Sequence, residues 1–479
     1  MISIQNYIGG RNIDPVNKKF LDNYNPATGT VYGQIPDSDA QDIELAVEAA
    51  KKVQAQWAAV PLEQKCDILL KISTLILDQL DALAEAETMD NGKPLWLSRR
   101  VDIPRAAQNF KFFATALMHF ASESYFSPPT TFSTIHRVPV GIVGCISPWN
   151  LPLYLFTWKI APALAAGNCV IAKPSEVTPL TASLLGEIFT QAGLPDGVLN
   201  IIHGTGPKAG NAIIMHKDIK AISFTGGTST GAHIARSVAP MFKKLSLELG
   251  GKNAAIICNE CDYELMLRDT VRSSFTNQGQ ICLCTSRLLV QSGIYEKFKT
   301  DFVQLVEALT VGNPNDPNIR QGAIVSQSHL EKISNAVNRA RSEGGIILTG
   351  GEILHPQGMG GYYYKPTVIE GLGPDSLTNC EEIFGPVVTL QRFDTMEEAI
   401  TLANATEYGL ATTIWARDTN TIHCLSEASE AGIVWVNCWL IRDLRTPFGG
   451  VKSSGVGREG GWEAMRFFTE AKSITQKMA

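Results

Sequence analysis

The chain reads as a mixed α/β protein with more than one domain. Three observations predict this. It has 479 residues, long enough for more than one hydrophobic core. From residue 141 onward, short β-rich runs alternate with helical patterns, as a parallel sheet covered on both faces requires. A second series of the same kind follows, beginning near residue 250.

In chain order, the first 120 residues read mainly as helices. Asp42–Ala58 repeats apolar residues every three or four positions, which puts them on one buried face. Pro61–Glu87 continues with two further helical patterns, and Asp102–Ala121 predicts a long, mostly buried helix. The first strand series comprises Gly141–Ile146, Asn168–Ala172, Val198–His203, Ala221–Phe224 and Ala254–Cys258. The second comprises Ser286–Val290, Ile346–Leu348, Val387–Phe393, Thr412–Trp415 and Gly432–Asn437. Gly250-Gly251 is the expected crossing point between the halves. No low-complexity linker or internal repeat separates them.

Composition narrows the function classes. Hydrophobic residues are 44% and charged residues 18% of the chain, too apolar for disorder. The net charge of −6 leaves no basic footprint for nucleic acid. The amino-terminal residues lack the charged and apolar regions of a secretory signal, and no apolar run approaches about 18 residues. A cytoplasmic protein is expected. The ten cysteines are scattered, unlike a disulfide framework. Cys258 and Cys261 have C-x-x-C spacing, but no second pair or histidine set completes a metal site, and no metal is expected.

Several segments carry chemistry. Phe275–Arg287 places Cys282 among glycine and short polar residues that let a substrate approach a thiol; a buried structural cysteine is the alternative. Glu248 lies between two leucines, where desolvation would raise it towards a useful general base; a salt bridge with Lys252 is the alternative. In Ser147-Pro148-Trp149-Asn150-Leu151-Pro152 two prolines fix the turn around Asn150, whose amide can donate to an oxyanion or simply serve the turn. Lys173 and Glu176 follow a strand and can hold adenosine ribose hydroxyls at the sheet edge. Gly204–Gly210 and Phe224–Gly231 supply glycine-rich turns. The first has one residue too many for G-x-G-x-x-G. The second contains Gly227-Thr-Ser229-Thr-Gly231, which formally fits a hydrolase G-x-S-x-G, although no matching oxyanion loop is evident.

Taken together and in order, PWNLP, KPSE, FTGG, LELGGK, GQIC, EEIFGP (381–386) and PFGGVKSSGVGRE (447–459) resemble the aldehyde dehydrogenase superfamily over nearly the whole chain. The resemblance implies a Rossmann-like cofactor domain (1–125 and 141–249), an α/β catalytic domain (250–450) and a small β bridging element for oligomerisation (126–140 and 467–479). It implies attack by Cys282, oxyanion stabilisation by the Asn150 amide and the Cys282 backbone N–H, and thioester hydrolysis by water activated at Glu248. Cys284 is the rival thiol, but its spacing from Gly279-Gln280 departs from the family pattern. NAD is the implied cofactor. Lys173 and Glu176 would bind its adenosine ribose, Glu382 its nicotinamide ribose, and Phe384 would lie against the ring. Ile146, Trp149, Gly206, Gly210, Phe224, Gly227 and Leu249 would shape the rest. Many relatives carry serine where Gly227 stands, so that hydroxyl contact to pyrophosphate is absent here unless Thr228 replaces it. Glu176 favours NAD over NADP by repelling a 2′-phosphate, and the presence of Glu248 favours hydrolysis over transfer to coenzyme A.

The chain also resembles a narrower branch, the 2-aminomuconic and 2-hydroxymuconic semialdehyde dehydrogenases. The matching stretches are Asp102–Arg105 with Gln108–Ala114, Cys282–Arg287 and Asn437–Phe448. Such substrates carry a carboxylate away from the aldehyde. Arg105 and Arg442 are its expected partners, with Arg445 weaker. The alternatives are salt bridges, with Asp102 or Asp443 neutralising a neighbour, or a different aldehyde altogether. A small-molecule aldehyde substrate and a homo-oligomer, dimer or tetramer, are expected, with neither nucleic acid nor membrane as partner.

Overall fold

The computed structural model describes residues Met1–Met478 and forms the α/β architecture expected, built on two large sheets. In the first sheet the order is Gly455–Val456, Lys244–Glu248, Ile219–Thr225, Ile142–Ile146, Cys169–Lys173, Leu199–Ile201, Asn6–Ile8, Arg11–Ile13. The five central strands are parallel. Their chain order across the sheet is 5-4-1-2-3, the doubly wound arrangement whose ligand crevice opens between the first and fourth strands. Those two strands end at Ile146 and Thr225.

The second sheet runs Ile346–Thr349, Thr367–Glu370, Val387–Phe393, Arg287–Gln291, Ala254–Ile257, Ala411–Trp415, Ile433–Val436. All neighbours are parallel except the first pair. A third sheet of three antiparallel strands joins Thr469–Lys477, Thr131–Pro139 and Ser124–Ser127. Its sequence counterparts are the expected bridging segments; Ala479 lies outside the described residues.

The strands are apolar because both faces are covered. Ile142–Ile146 and Cys169–Lys173 are buried throughout. Between them the helix Pro152–Ala165 is buried on every side, a strongly hydrophobic element that could not stand at a surface.

The first 120 residues are mainly helical as expected, but two features lie outside the sequence reading. Five strands lie between Ile2 and Pro36, before the helix Ala40–Ala59 begins. Asn6–Ile8 is fixed by pairing with Leu199–Ile201, almost two hundred residues away, a contact invisible to local periodicity. Lys244–Glu248 is a strand that the sequence reading passed over. Its alternation of Lys, Leu, Ser, Leu and Glu satisfies a penultimate strand with a short antiparallel neighbour.

Candidate active site

Three cavities meet where the carboxyl ends of the first sheet face the second. The largest, about 510 Å³, is lined by Ile146, Gly206, Gly210 and Phe224, together with Ser229 and His233. Lys173 lies beside it, its side chain 3.8 Å from where a Cβ on Gly210 would sit. Its ammonium is 3.1 Å from Glu176. Burial opposes ionisation of Glu176, but Lys173 and backbone donors including Gly206 outweigh it and hold the carboxyl below its ordinary range. Ser229 sits exposed on the helix Thr228–Val238, on the wall of this cavity and outside the other two.

The middle cavity, about 200 Å³, brings together Trp149, Asn150, Gly227, Leu249, Cys282, Glu382 and Phe384. Gly227 precedes the first residue of the Thr228–Val238 helix, whose free N–H groups and dipole favour an anion. The hydroxyl of Thr225, on this cavity's wall, and those of Thr228 and Ser147, next in sequence to its lining residues Gly227 and Pro148, are buried without hydrogen-bond partners among the described residues. Glu382 accepts from the Gly251 N–H at 2.9 Å. Burial raises its carboxyl, against that bond and Lys332. A Cβ on Gly250 would fall 2.4 Å from Glu382, so the carboxylate needs glycine there.

The third cavity, about 170 Å³, contains Cys282, Glu248, Arg442, Leu151, Tyr154, Trp439, Phe448 and Glu459. Cys282 lines both this cavity and the middle one, whereas Cys284 lines neither. Cys284 is buried behind, its thiol 3.7 Å from the Thr276 carbonyl. Burial, then the carboxyls of Glu382 and Glu248, push the Cys282 thiol upward.

Glu248 ends its strand buried, and neither carboxyl oxygen has a hydrogen-bond partner. Lys252 forms no ion pair with it among the described residues; burial first, then Arg287, lower that lysine to about 7. Burial and then Glu459 raise Glu248 well above an ordinary carboxyl. Glu459 itself pairs with buried Lys159 at 2.7 Å.

The Asn150 side chain lines the middle cavity and makes no hydrogen bond among the described residues, while its carbonyl is held by several donors. Arg105 and Arg442 converge on Trp158, 5.4 and 5.1 Å from its ring centroid. Arg105 also covers Tyr154, and Arg442 lies 3.9 Å over Phe448. Each retains a buried terminal nitrogen without a partner. Neither is salt-bridged: Asp102 belongs to Lys93, and Asp443 to Arg445. Burial lowers Arg105 to about 10, with Arg442 adding to the effect. Arg445 is exposed and neutralised by Asp443.

Several residues at the site had no role in the sequence reading. His329 and Lys332 line the middle cavity. The His329 ring lies edge-on to Trp149, and Nε2 is 2.7 Å from the Phe384 carbonyl. Glu459 fell within a quoted motif without an assigned function, and Lys159 was unremarked in an apolar helix. A lone lysine in such a helix was the available signal. Cys258 and Cys261 are buried and free, and the described residues hold no His/Cys/Asp/Glu cluster suited to a metal.

A doubly wound sheet whose crevice adjoins a thiol, an unpartnered carboxyl and a free amide is an arrangement that suits a dinucleotide-dependent oxidoreductase. Residues 13–474 match the aldehyde dehydrogenase family, and the chain belongs to it. It is 47% identical to a 2-aminomuconic semialdehyde dehydrogenase from Danio rerio, over 99% of this chain and 98% of that protein. It is 42% identical to a 2-hydroxymuconic semialdehyde dehydrogenase from Pseudomonas sp. (strain CF600), over the whole of both. The structure of PnpE in complex with nicotinamide adenine dinucleotide superposes with a TM-score of 0.98 at 36% identity, covering 100% of this chain and 98% of that one.

Proposed function

We propose that the protein oxidises a carboxylate-bearing muconic semialdehyde, 2-aminomuconic or 2-hydroxymuconic, to the dicarboxylate with NAD. The observation that carries the substrate class is the pair Arg105 and Arg442. Two half-buried guanidinium groups share one aromatic wall, have no carboxylate partner among the described residues, and each hold one buried, free N–H. An unpaired buried charge is costly, so a substrate carboxylate is the natural complement.

The residues fit NAD: the unpartnered hydroxyls, the helix start after Gly227 and the Lys173–Glu176 pair match a dinucleotide's phosphates and ribose. Ile146, Gly206, Gly210 and Phe224 would enclose the adenosine end. Trp149, Leu249, Glu382 and Phe384 would hold the nicotinamide end, with Thr228 supplying the hydroxyl absent at Gly227.

In the chemistry, the Cys282 thiol gives up its proton to solvent water and its sulfur adds to the aldehyde carbon. The Asn150 amide and the Cys282 backbone N–H receive the developing oxyanion. Bound NAD supplies the hydride acceptor, and loss of hydride from carbon leaves a thioester on Cys282. Glu248 then takes a proton from water, whose oxygen displaces the thiolate and yields the acid. The raised basicity of Glu248 suits this task, since its unpartnered carboxyl lines the same cavity as Cys282.

The proposal includes the division into residues 1–125 and 141–249, 250–450, and 126–140 with 467–479. It also includes a cytoplasmic homo-oligomer. Tyr125 and Phe126, 58% and 57% exposed on the antiparallel sheet, support a covered face. Among the described residues, no helix is long and apolar enough to cross a membrane.

The test is NADH formation from both muconic semialdehydes and a short aliphatic aldehyde, in wild type and Arg442→Ala. Preference for the muconic substrates that collapses in the variant supports the reading. Equal turnover of the aliphatic aldehyde, indifferent to Arg442, would remove the substrate class and leave the dehydrogenase.

A further inference from the structure

Beneath the reactive centre lies a cluster of charges that no catalytic step uses. Glu87, Lys93 and Asp102 are each fully buried. The Lys93 ammonium donates to Asp102 at 3.0 Å and sits 3.6 Å from Glu87. Its remaining contact is neither acid: it donates to the Asn150 carbonyl at 3.2 Å.

That carbonyl is a hub. It also accepts from Asn277 Nδ2 at 2.9 Å and Asn91 Nδ2 at 3.4 Å. Asn91 donates to the preceding Trp149 carbonyl at 2.9 Å. Glu87 accepts from the Leu153 N–H beyond, at 3.3 Å. The Glu87–Lys93 segment thus grips the backbone on both sides of Asn150, while the Asn150 amide itself stays free towards the cavity. Asn277 connects the same carbonyl to the loop that carries Cys282 five residues later.

The other arm of the cluster leads to the distal end of the cavities. Asp102 closes a π turn, Ser98–Asp102, and the helix Ile103–Leu117 starts directly after it. Arg105 stands three residues on. Among the described residues it is anchored only by Asn109 at 2.9 Å and by aromatic faces, so the start of its helix sets where its guanidinium lies. Extra-residue turns of this kind recur where a helix must aim a functional side chain.

We propose that Lys93 is a positioning residue that sets both ends of the substrate together: the oxyanion donor through the Asn150 carbonyl, and the carboxylate clamp through Asp102 and the Arg105 helix. This rests on the roles proposed above for Asn150 and Arg105. The ammonium has three donors to place, and one of them goes to the Asn150 peptide rather than to Glu87, 3.6 Å away. Displacements near 1 Å at such a donor are enough to slow chemistry by orders of magnitude.

The test uses Lys93→Met, the charge-balanced Lys93→Met/Asp102→Asn, Asn150→Ala and Lys93→Met/Asn150→Ala in the full-length protein. NADH formation is measured with propanal and with 2-hydroxymuconic semialdehyde. Unfolding temperature and NAD affinity, by quenching of protein fluorescence, accompany it. On propanal, loss of Lys93 should lower kcat at least about 10-fold. Adding it to Asn150→Ala should cost no more than about twofold beyond Asn150→Ala alone, because one acts through the other. The kcat/KM preference for the muconic substrate should also fall by about threefold or more, with NAD affinity held within about twofold. Full kcat in the folded charge-balanced variant, or losses that multiply with Asn150→Ala, would overturn the proposal. So would failure of both Lys93 variants to fold, which would make Lys93 a stability residue. A wild-type rate in Asn150→Ala would instead remove the oxyanion role itself, and the coupling with it.

Discussion

Cys282 stands between two carboxyls, and its surroundings raise the thiol rather than lower it. Glu248, unpartnered and raised by burial, is the base available for hydrolysis of the thioester. Glu248→Gln should preserve a first turnover of NADH but slow steady-state hydrolysis by about 100-fold or more, as expected for a lost general base; rapid mixing would show a burst that the wild type lacks. The active form of Glu248 is ionised. Because its affinity for a proton is raised, deacylation should increase with pH, with a midpoint above the ordinary carboxyl range. The same shift acts on stability in the opposite sense. A carboxyl raised in the folded state favours folding at low pH, and that contribution is lost as pH rises through the folded value. Glu248→Gln should therefore gain unfolding temperature over wild type at alkaline pH and converge with it in acid. At the distal end, Arg442→Ala removes one charge-assisted partner worth about 1.5–3 kcal/mol, so kcat/KM for a muconic semialdehyde should fall about 10- to 100-fold. Turnover of propanal should hardly change.

The elements matter through their ends. The Lys244–Glu248 strand delivers Glu248 to the crevice, and the Gly455–Val456 strand pairs beside it. Phe448 and Glu459 exchange 2.7 Å backbone hydrogen bonds, closing the turn that brings Gly449 under the carboxyl. Gly449 has φ +154, and a Cβ there would lie 2.6 Å from Glu248 Oε1. Gly449→Ala should displace the base and lower kcat by about 10-fold or more, by the sensitivity of catalysis to small misplacements. NAD affinity should stay near wild type, as fluorescence titration would show. Had Gly449 only a folding role, unfolding temperature would drop while kcat per folded molecule held.

At the scale of the whole molecule, the small antiparallel sheet projects an edge strand, Thr469–Lys477, exposed at nearly every position. An uncovered edge with apolar neighbours invites pairing. Substituting Tyr125 and Phe126 together by lysine should reduce the sedimentation coefficient to that of a smaller species; an unchanged coefficient would remove this sheet as the oligomer contact. Much of the molecule could be read without coordinates. The apolar runs at 142–146, 169–173 and 387–393 are strands because continuous hydrophobicity at that length suits a sheet covered on both faces. Motif order placed Cys282, Glu248 and Asn150 in one family. Local patterns could not reveal the opening strands or Lys244–Glu248, whose pairing partners lie far away in sequence. Nor could they choose between a salt bridge and a ligand for Arg105 and Arg442: Asp102 and Asp443 stand equally near in sequence, and only packing assigns them to Lys93 and Arg445. The sequence by itself determined the chemistry, because reactive groups keep their identity and their order along the chain. The tertiary structure alone decided which charges are neutralised and which keep a free N–H, because that depends on distances between residues that the chain keeps apart.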